Sequence, residues 1–109
     1  MMDSRKLDRL ITIKRPGAPV DDGYSEVPGA LETYAQRWAS WMPANGREVF
    51  ENLGREAKSG GSFWLHYDAI TAAIEPTDKI EWDGRLWEIL SIAQIGRHVG
   101  IELIVTTED

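Results

Sequence analysis

The segment Lys79-Ile80-Glu81-Trp82-Asp83-Gly84-Arg85-Leu86-Trp87-Glu88-Ile89-Leu90 constrains the fold more than any other part of the chain. An Asp-Gly pair between alternating apolar residues favours a two-residue type I′ turn, which needs positive φ at both central positions. Strands registered about that turn set Trp82 opposite Arg85, Glu81 opposite Leu86, Ile80 opposite Trp87 and Lys79 opposite Glu88. The register checks itself. Ile80, Trp82, Trp87 and Ile89 gather on one face, while Lys79 and Glu88 form an opposite-charge pair on the other, and a slip of one residue scrambles both sets.

The rest of the chain continues the theme. Arg9 to Arg15 alternates with β-branched residues and stops at Pro16-Gly17, as a first strand should. Residues 16–33, with Asp-Asp-Gly and a second Pro-Gly, hold no sustained period and read as a long loop, either functional or a floppy hairpin connection. Tyr34 to Met42 suits a second strand ending at Pro43, with Trp38 and Trp41 on opposite faces because their spacing is odd. One of the two belongs to the core, and the other is a contact residue or a cover for the next element.

That element is a predicted helix over residues 45–58. Asn45 can cap it, Val49, Phe50, Leu53 and Ala57 form an apolar stripe, and Gly60-Gly61 supplies a stop. Glu51 and Arg55 stand at the favourable i,i+4 orientation, whereas Gly54 weakens the run by about 1 kcal/mol. A third strand over Ser62 to Asp68 turns Phe63, Leu65 and Tyr67 to the core, with Ser62, Trp64, His66 and Asp68 on the other side. Ala69 to Thr77 fits a short helical turn or a loop equally. Val99 to Thr106 makes the last strand, pairing with residues 86–93 through a turn around Gly96. The pattern predicts a mainly β single domain, residues 1–109: a small antiparallel barrel or sandwich of about six strands, with one helix between strands two and three and a long loop after strand one.

Composition narrows the function classes. The 109 residues carry a formal charge of −6 and no cysteine, which excludes disulfides, thiol nucleophiles and thiolate zinc sites together. The amino end is charged throughout, unlike a secretory signal, and no segment approaches the roughly 20 apolar residues that span a bilayer. The chain therefore reads as soluble and intracellular. His66 and His98 have no metal-ligand spacing and read as surface or rim residues. Asp21 and Asp22 precede Gly23 and read as turn chemistry, since a calcium loop needs alternating ligands and a closing glutamate. Ser40, Ser59, Ser62 and Ser91 lie in no nucleophile-elbow context, and no phosphate-binding glycine motif occurs. Nothing in these patterns argues for an enzyme, a cofactor or a metal. Five tryptophans, with Arg37 beside Trp38 and Arg85 opposite Trp82, leave one alternative: an OB-like barrel that stacks single-stranded nucleic acid.

An ordered set of motifs goes further. Leu7-Asp8-Arg9-Leu10-Ile11-Thr12-Ile13-Lys14-Arg15-Pro16, Asp21-Asp22-Gly23-Tyr24, Trp38-Ala39-Ser40, Pro43-Ala44-Asn45-Gly46-Arg47-Glu48, the Trp82-Asp83-Gly84-Arg85 hairpin and the closing Gly96-Arg97 to Glu102-Leu103 follow one another along nearly the whole chain. Together they resemble the tailed-phage head-tail joining family. Tyr67-Asp68 stands where the family often has Tyr-Arg, Thr71 to Glu75 looks like a short insertion, and Trp41-Met42 is bulkier than the pattern.

The resemblance implies a head-closure, or stopper, subunit: a structural virion protein of a phage or prophage, made in the host cytoplasm and not an enzyme. It implies a homo-oligomeric ring below the portal and adaptor, with the isolated chain monomeric. Such a ring retains packaged double-stranded DNA without sequence-specific binding and presents a surface to the tail terminator or other tail proteins. It also implies that the inserted segment closes the channel, with Arg47, Glu48, Glu51 and Arg55 as channel or intersubunit charges. Asp21, Asp22 and Tyr24 would contact the adaptor or a neighbouring subunit.

Overall fold

The computed structural model describes residues 6–21, 23–27, 29–44 and 59–107. Eight strands are formed there: β1 Arg9–Pro16, β2 Val20–Asp21, β3 Glu26–Val27, β4 Leu31–Pro43, β5 Ser59–His66, β6 Lys79–Trp82, β7 Arg85–Ile95 and β8 Gly100–Thr107, with a 3-10 turn at Thr71–Ala73. Six of them close into an antiparallel barrel in the order β1-β4-β5-β8-β7-β6, and β6 returns to β1 through Thr12↔Glu81, Ile13↔Ile80 and Lys14↔Lys79. Of the two architectures the pattern allowed, the chain adopts the barrel. Closure leaves its six strands without an open edge.

Alternation fills the lumen. Ile11, Ile13, Phe63, Leu65, Ile80, Trp87, Ile89, Ile101, Leu103 and Val105 are buried and point inward, as side chains must in a barrel too narrow for a channel. The β6–β7 hairpin has the register read from the sequence, from Lys79↔Glu88 to Trp82↔Arg85. Its turn residues take φ 58° at Asp83 and 72° at Gly84, the left-handed geometry that a type I′ turn demands. β8 pairs with residues 88–95 rather than 86–93, because a bulge at Leu90 shifts the register between Ile89 and Ser91.

Trp41 turns inward and Trp38 outward, as their odd spacing requires. The Trp41 ring sits 4.7 Å from Phe63, 4.8 Å from Trp82 and 5.2 Å from Trp87, in tilted or edge-on geometry. Such pairs add about 0.5–1.5 kcal/mol each beyond their buried area.

Several expectations are corrected. Gly60 and Gly61 are not a helix stop; they lie in β5, opposite Thr106 and Val105 of β8. Gly61 is required there because a Cβ would stand 2.6 Å from the Trp41 ring. The predicted helix over 45–58 lies outside the described residues. Trp64 shares the outer face of β5 but is only 4% exposed, because its indole lies across Gly100, where a Cβ would have no room. Tyr67 and Asp68 lie beyond the end of β5, and Ala69 to Thr77 holds the 3-10 turn at Thr71–Ala73 followed by a tight turn at Pro76-Thr77.

The long loop is also structured in part. Past a register shift between Ile13 and Lys14, Lys14↔Thr33, Arg15↔Glu32 and Pro16↔Leu31 continue the β1–β4 pairing toward the loop. Gly17 N–H then donates to the Ala30 carbonyl at 2.9 Å, and Val20↔Val27 and Asp21↔Glu26 close a short ribbon. Gly29 permits this narrow base, since a Cβ there would meet the Ala18 carbonyl. Turn residues hid two strands of two residues each, too short to show a period.

Candidate functional site

The connections sort to the two ends of the barrel. One end carries the ribbon of residues 17–30, hereafter the arm, together with the 67–78 connection and the 96–99 turn. The other carries the Asp83-Gly84 turn and the β4 and β5 ends that flank segment 45–58.

The 67–78 connection is held tightly. Asp68 Oδ1 accepts the N–H groups of Ile70 and Thr71 at 2.8 Å each, and Thr71 Oγ1 donates to the His66 carbonyl at 2.9 Å. Tyr34 Oη donates to the Ile70 carbonyl. Arg15 donates Nε and Nη2 to the two carboxylate oxygens of Asp78 at 2.9 and 2.8 Å, reaches the Ala73 carbonyl, and lies 3.8 Å over the Tyr34 ring. Asp78 is fully buried and also accepts the Glu75 N–H. The hydrogen bond with Asp78 raises the Arg15 pKa despite partial desolvation, so the guanidinium stays charged. This cluster is a structural clamp, and among the described residues no buried side-chain nitrogen or oxygen lacks a hydrogen-bond partner.

Asp68 supplies a pH dependence. Burial works against its ionisation, but the Thr71 N–H, the Arg37 guanidinium and the Ile70 N–H together outweigh burial and hold its pKa below 3.8. A carboxyl depressed in the folded state stabilises the fold above its unfolded pKa and loses that contribution as pH falls through the folded value. The melting temperature of the wild type should therefore drop between about pH 5 and about pH 3, and Asp68→Asn should drop less over the same interval. Parallel thermal melts of the two proteins check this; equal slopes would assign the acid sensitivity elsewhere.

The outer surface is where free apolar area collects. Leu10 pairs directly with Trp38 across β1 and β4, and they are 44% and 54% exposed. Trp38, Ser40 and Met42 share the outward face of β4 by alternation, and Met42 is also exposed. Beside them runs a groove of about 310 Å³ lined by Lys6, Asp8, Arg9, Ser40, Met42 and Trp64, among others. On the arm, Val20 and Val27 form an exposed cross-strand pair and Tyr24 stands at the tip. Asp21 Oδ1 accepts the Gly23 N–H at 2.8 Å, the turn chemistry expected of Asp-Asp-Gly.

Among the sequence-predicted residues, Ile80, Trp82, Asp83, Gly84, Trp87 and Ile89 fall together in the hairpin and core. Asp21 and Tyr24 fall together on the arm, whereas Asp22, Arg47, Glu48, Glu51 and Arg55 lie outside the described residues. Leu10 and Met42 were missed; alternation from buried Ile11 and Ile13 places Leu10 outside, and that signal was present. His66 and His98 are both exposed, and His98 stacks on Tyr67 with ring centroids 4.5 Å apart. Trp41, Trp82 and Trp87 are packed with Phe63 at the barrel centre and Trp64 lies against Gly100. That leaves Trp38 as the one tryptophan ring with most of its surface exposed. Among the described residues no group of three His, Asp or Glu side chains could hold a metal ion, and no helix is long and apolar enough to cross a membrane.

The described residues thus form a closed antiparallel barrel with a filled lumen that displays apolar area on an arm and on one outer face. A family model described as phage head completion protein matches residues 2–108, and the chain belongs to that family, a structural component of the phage head and virion. No curated protein matches it in sequence. Among solved structures it is similar to protein SF1141 from Shigella flexneri 2a, studied in solution, with TM-score 0.71 and 19% identity over 98% of this chain and 96% of that one. It is also similar to a chain of the virion of a native gene transfer agent particle, with TM-score 0.62 and 18% identity over 93% of each. At these identities the likeness is one of fold.

Proposed function

We propose that this protein is the head-closure subunit, forming a ring below the portal and adaptor that retains packaged DNA and offers the tail its attachment surface. The observation that carries this reading is the distribution of exposed apolar residues. A barrel that has completed its own core and hidden its own edges nevertheless displays Leu10, Trp38 and Met42 on one side and Val20 and Val27 on an arm. A ring subunit needs two unlike surfaces for repeated head-to-tail contact. Segment 45–58 would close the channel, with Arg47, Glu48, Glu51 and Arg55 as channel or intersubunit charges, and Asp21, Asp22 and Tyr24 would meet the adaptor or a neighbour. The net charge of −6 suits a conduit through which DNA must slide, because it avoids the salt-sensitive phosphate contacts that hold DNA in place.

Electron microscopy of particles made without this gene tests the role. Heads that package and then lose their DNA, beside complete free tails, are the expected result. Normal joined particles would overturn it.

A further inference from the structure

We propose that segment 45–58 seats its apolar residues Val49, Phe50 and Leu53 in a trough on the outer wall of its own barrel, an inference that concerns the single chain and goes beyond the ring reading. The trough, of about 270 Å³, is lined by Met42, Ala44, Gly61, Ser62 and Ile104, among others. Its form follows from the strand register. Met42, Ser62 and Ile104 stand side by side across β4, β5 and β8. All three point out of the barrel, because Trp41, Phe63, Leu103 and Val105 alternate inward. β5 carries Gly60, Gly61 and Ser62 at this level, so small residues make the floor and Met42 and Ile104 make the walls.

The occupant is named by where the chain goes. The described chain leaves at Ala44, which lines the trough, and returns at Ser59, next to Gly60. Ala44 N–H donates to the Gly60 carbonyl at 2.9 Å, which holds the two ends about one strand spacing, or about 5 Å, apart. One straight helix over the 14 residues between them would part its ends by about 21 Å. The segment therefore doubles back, and Gly54 is where a helix ends and reverses at least cost. Helical spacing ahead of Gly54 sets Val49, Phe50 and Leu53 on one side and Arg47, Glu48 and Glu51 on the other. A helix this short does not hold in water by itself; it needs a surface for its apolar side. Tethered at both ends beside the trough, it meets that surface at an effective concentration that a second copy in dilute solution does not match.

Burial on the same wall supports a cover. Thr106 points outward, one residue past Val105, with Gly60 and Glu88 as its neighbours across the strands. A glycine neighbour shields little, yet Thr106 is only 4% exposed. Charge favours the same orientation. No ionisable side chain lines the trough, so the apolar side of the segment faces the barrel and Arg47, Glu48 and Glu51 face away from it, where a channel or a neighbour would meet them.

The absence of cysteine from the chain makes the test clean. Ser62→Cys in the trough floor is combined with Leu53→Cys in one full-length protein and with Glu51→Cys in another. Each is oxidised at low concentration with copper(II) phenanthroline, and the disulfide within one chain is followed by mobility on a nonreducing gel. The expected result is that the Leu53→Cys pair closes at least fivefold faster than the Glu51→Cys pair, and that adding Met42→Asp, which puts a charge in the trough wall, brings the two rates together. Equal rates without Met42→Asp overturn the inference. So do disulfides between chains that outpace those within one, since they would seat the segment on a second copy. Near-ultraviolet circular dichroism of the packed tryptophans shows whether each variant keeps its barrel. Trypsin gives a second reading without any cysteine: Phe50→Asp should speed cleavage after Arg47 and Arg55 at least fivefold with the barrel signal intact, and unchanged cleavage overturns the seat. Failure here leaves the head-closure reading standing, because that reading is decided by particles made without the gene.

Discussion

Arg15→Met is expected to destabilise the protein by about 3–5 kcal/mol, the range for removing one partner of a buried ion pair. The reason lies at the barrel seam. β1 meets β6 over only three residue pairs, and the last of them sets Lys14 directly opposite Lys79. Like charges facing each other weaken a sheet; Glu81 offsets this for Lys14 at 3.9 Å, and Glu88 stands across the hairpin from Lys79. The next step along β1 is Arg15, whose guanidinium spans to Asp78 from a point 63 residues away in sequence. Without it, a fully buried carboxylate keeps only the Glu75 N–H, and the Ala73 carbonyl and Tyr34 ring lose their cation. The melting temperature should fall by roughly 12–20 °C, taking about 4 °C per kcal/mol for a domain of this size. The double variant Arg15→Met, Asp78→Asn is the control. Its amide still accepts from Glu75 but carries no charge, so it should recover a large part of the loss. A double variant no more stable than Arg15→Met would show that lost packing, not an orphaned charge, sets the cost.

Trp87→Ala is expected to cost about 3–5 kcal/mol, the range for emptying a large aromatic site in a core. Trp87 is 2% exposed, touches Trp41 and Trp82 with centroids 5.2 and 5.8 Å away, and donates its indole N–H to the Trp82 carbonyl at 3.1 Å. Deleting it removes three kinds of support at once and leaves a void that the paired strands around it resist collapsing into. Trp38→Ala is the matched comparison. The same residue type with more than half its surface exposed should change folding stability by less than about 1 kcal/mol. Urea denaturation of both variants measures the contrast. Similar losses at the two positions would mean that Trp38 supports the barrel itself, and its place on a docking face would fall.

Much of the barrel was legible because its strands state their faces. The Asp83-Gly84 turn fixed a register that four independent residue pairs agree on, and Ile101, Leu103 and Val105 point inward as their alternation requires. The family could be read from the order of motifs along the chain, and the match over residues 2–108 bears that out. What stayed hidden was non-local. Gly60 and Gly61 follow a helix-like stretch and read as its stop; their real role depends on the Trp41 ring, some twenty residues away in the chain. Trp64 alternates outward and should be exposed, but Gly100 on another strand makes room for it. The arm has too few residues per strand for a period, and the Arg15–Asp78 bond joins two segments whose proximity only barrel closure creates.

The seam also says something about time. Hairpin β6–β7 can form around two turn residues, and β8 joins it across a tight turn, so these pairings need little chain to be gathered first. The β1–β6 pairing is different: it brings residue 13 to residue 80 for the return of three residue pairs and two ion pairs, Lys14–Glu81 and Arg15–Asp78. Contacts of such separation restrict the chain long before they reward it. The barrel is therefore expected to close there last and to open there first, and until it does close, β1 and β6 each keep an unpaired edge that could join another chain.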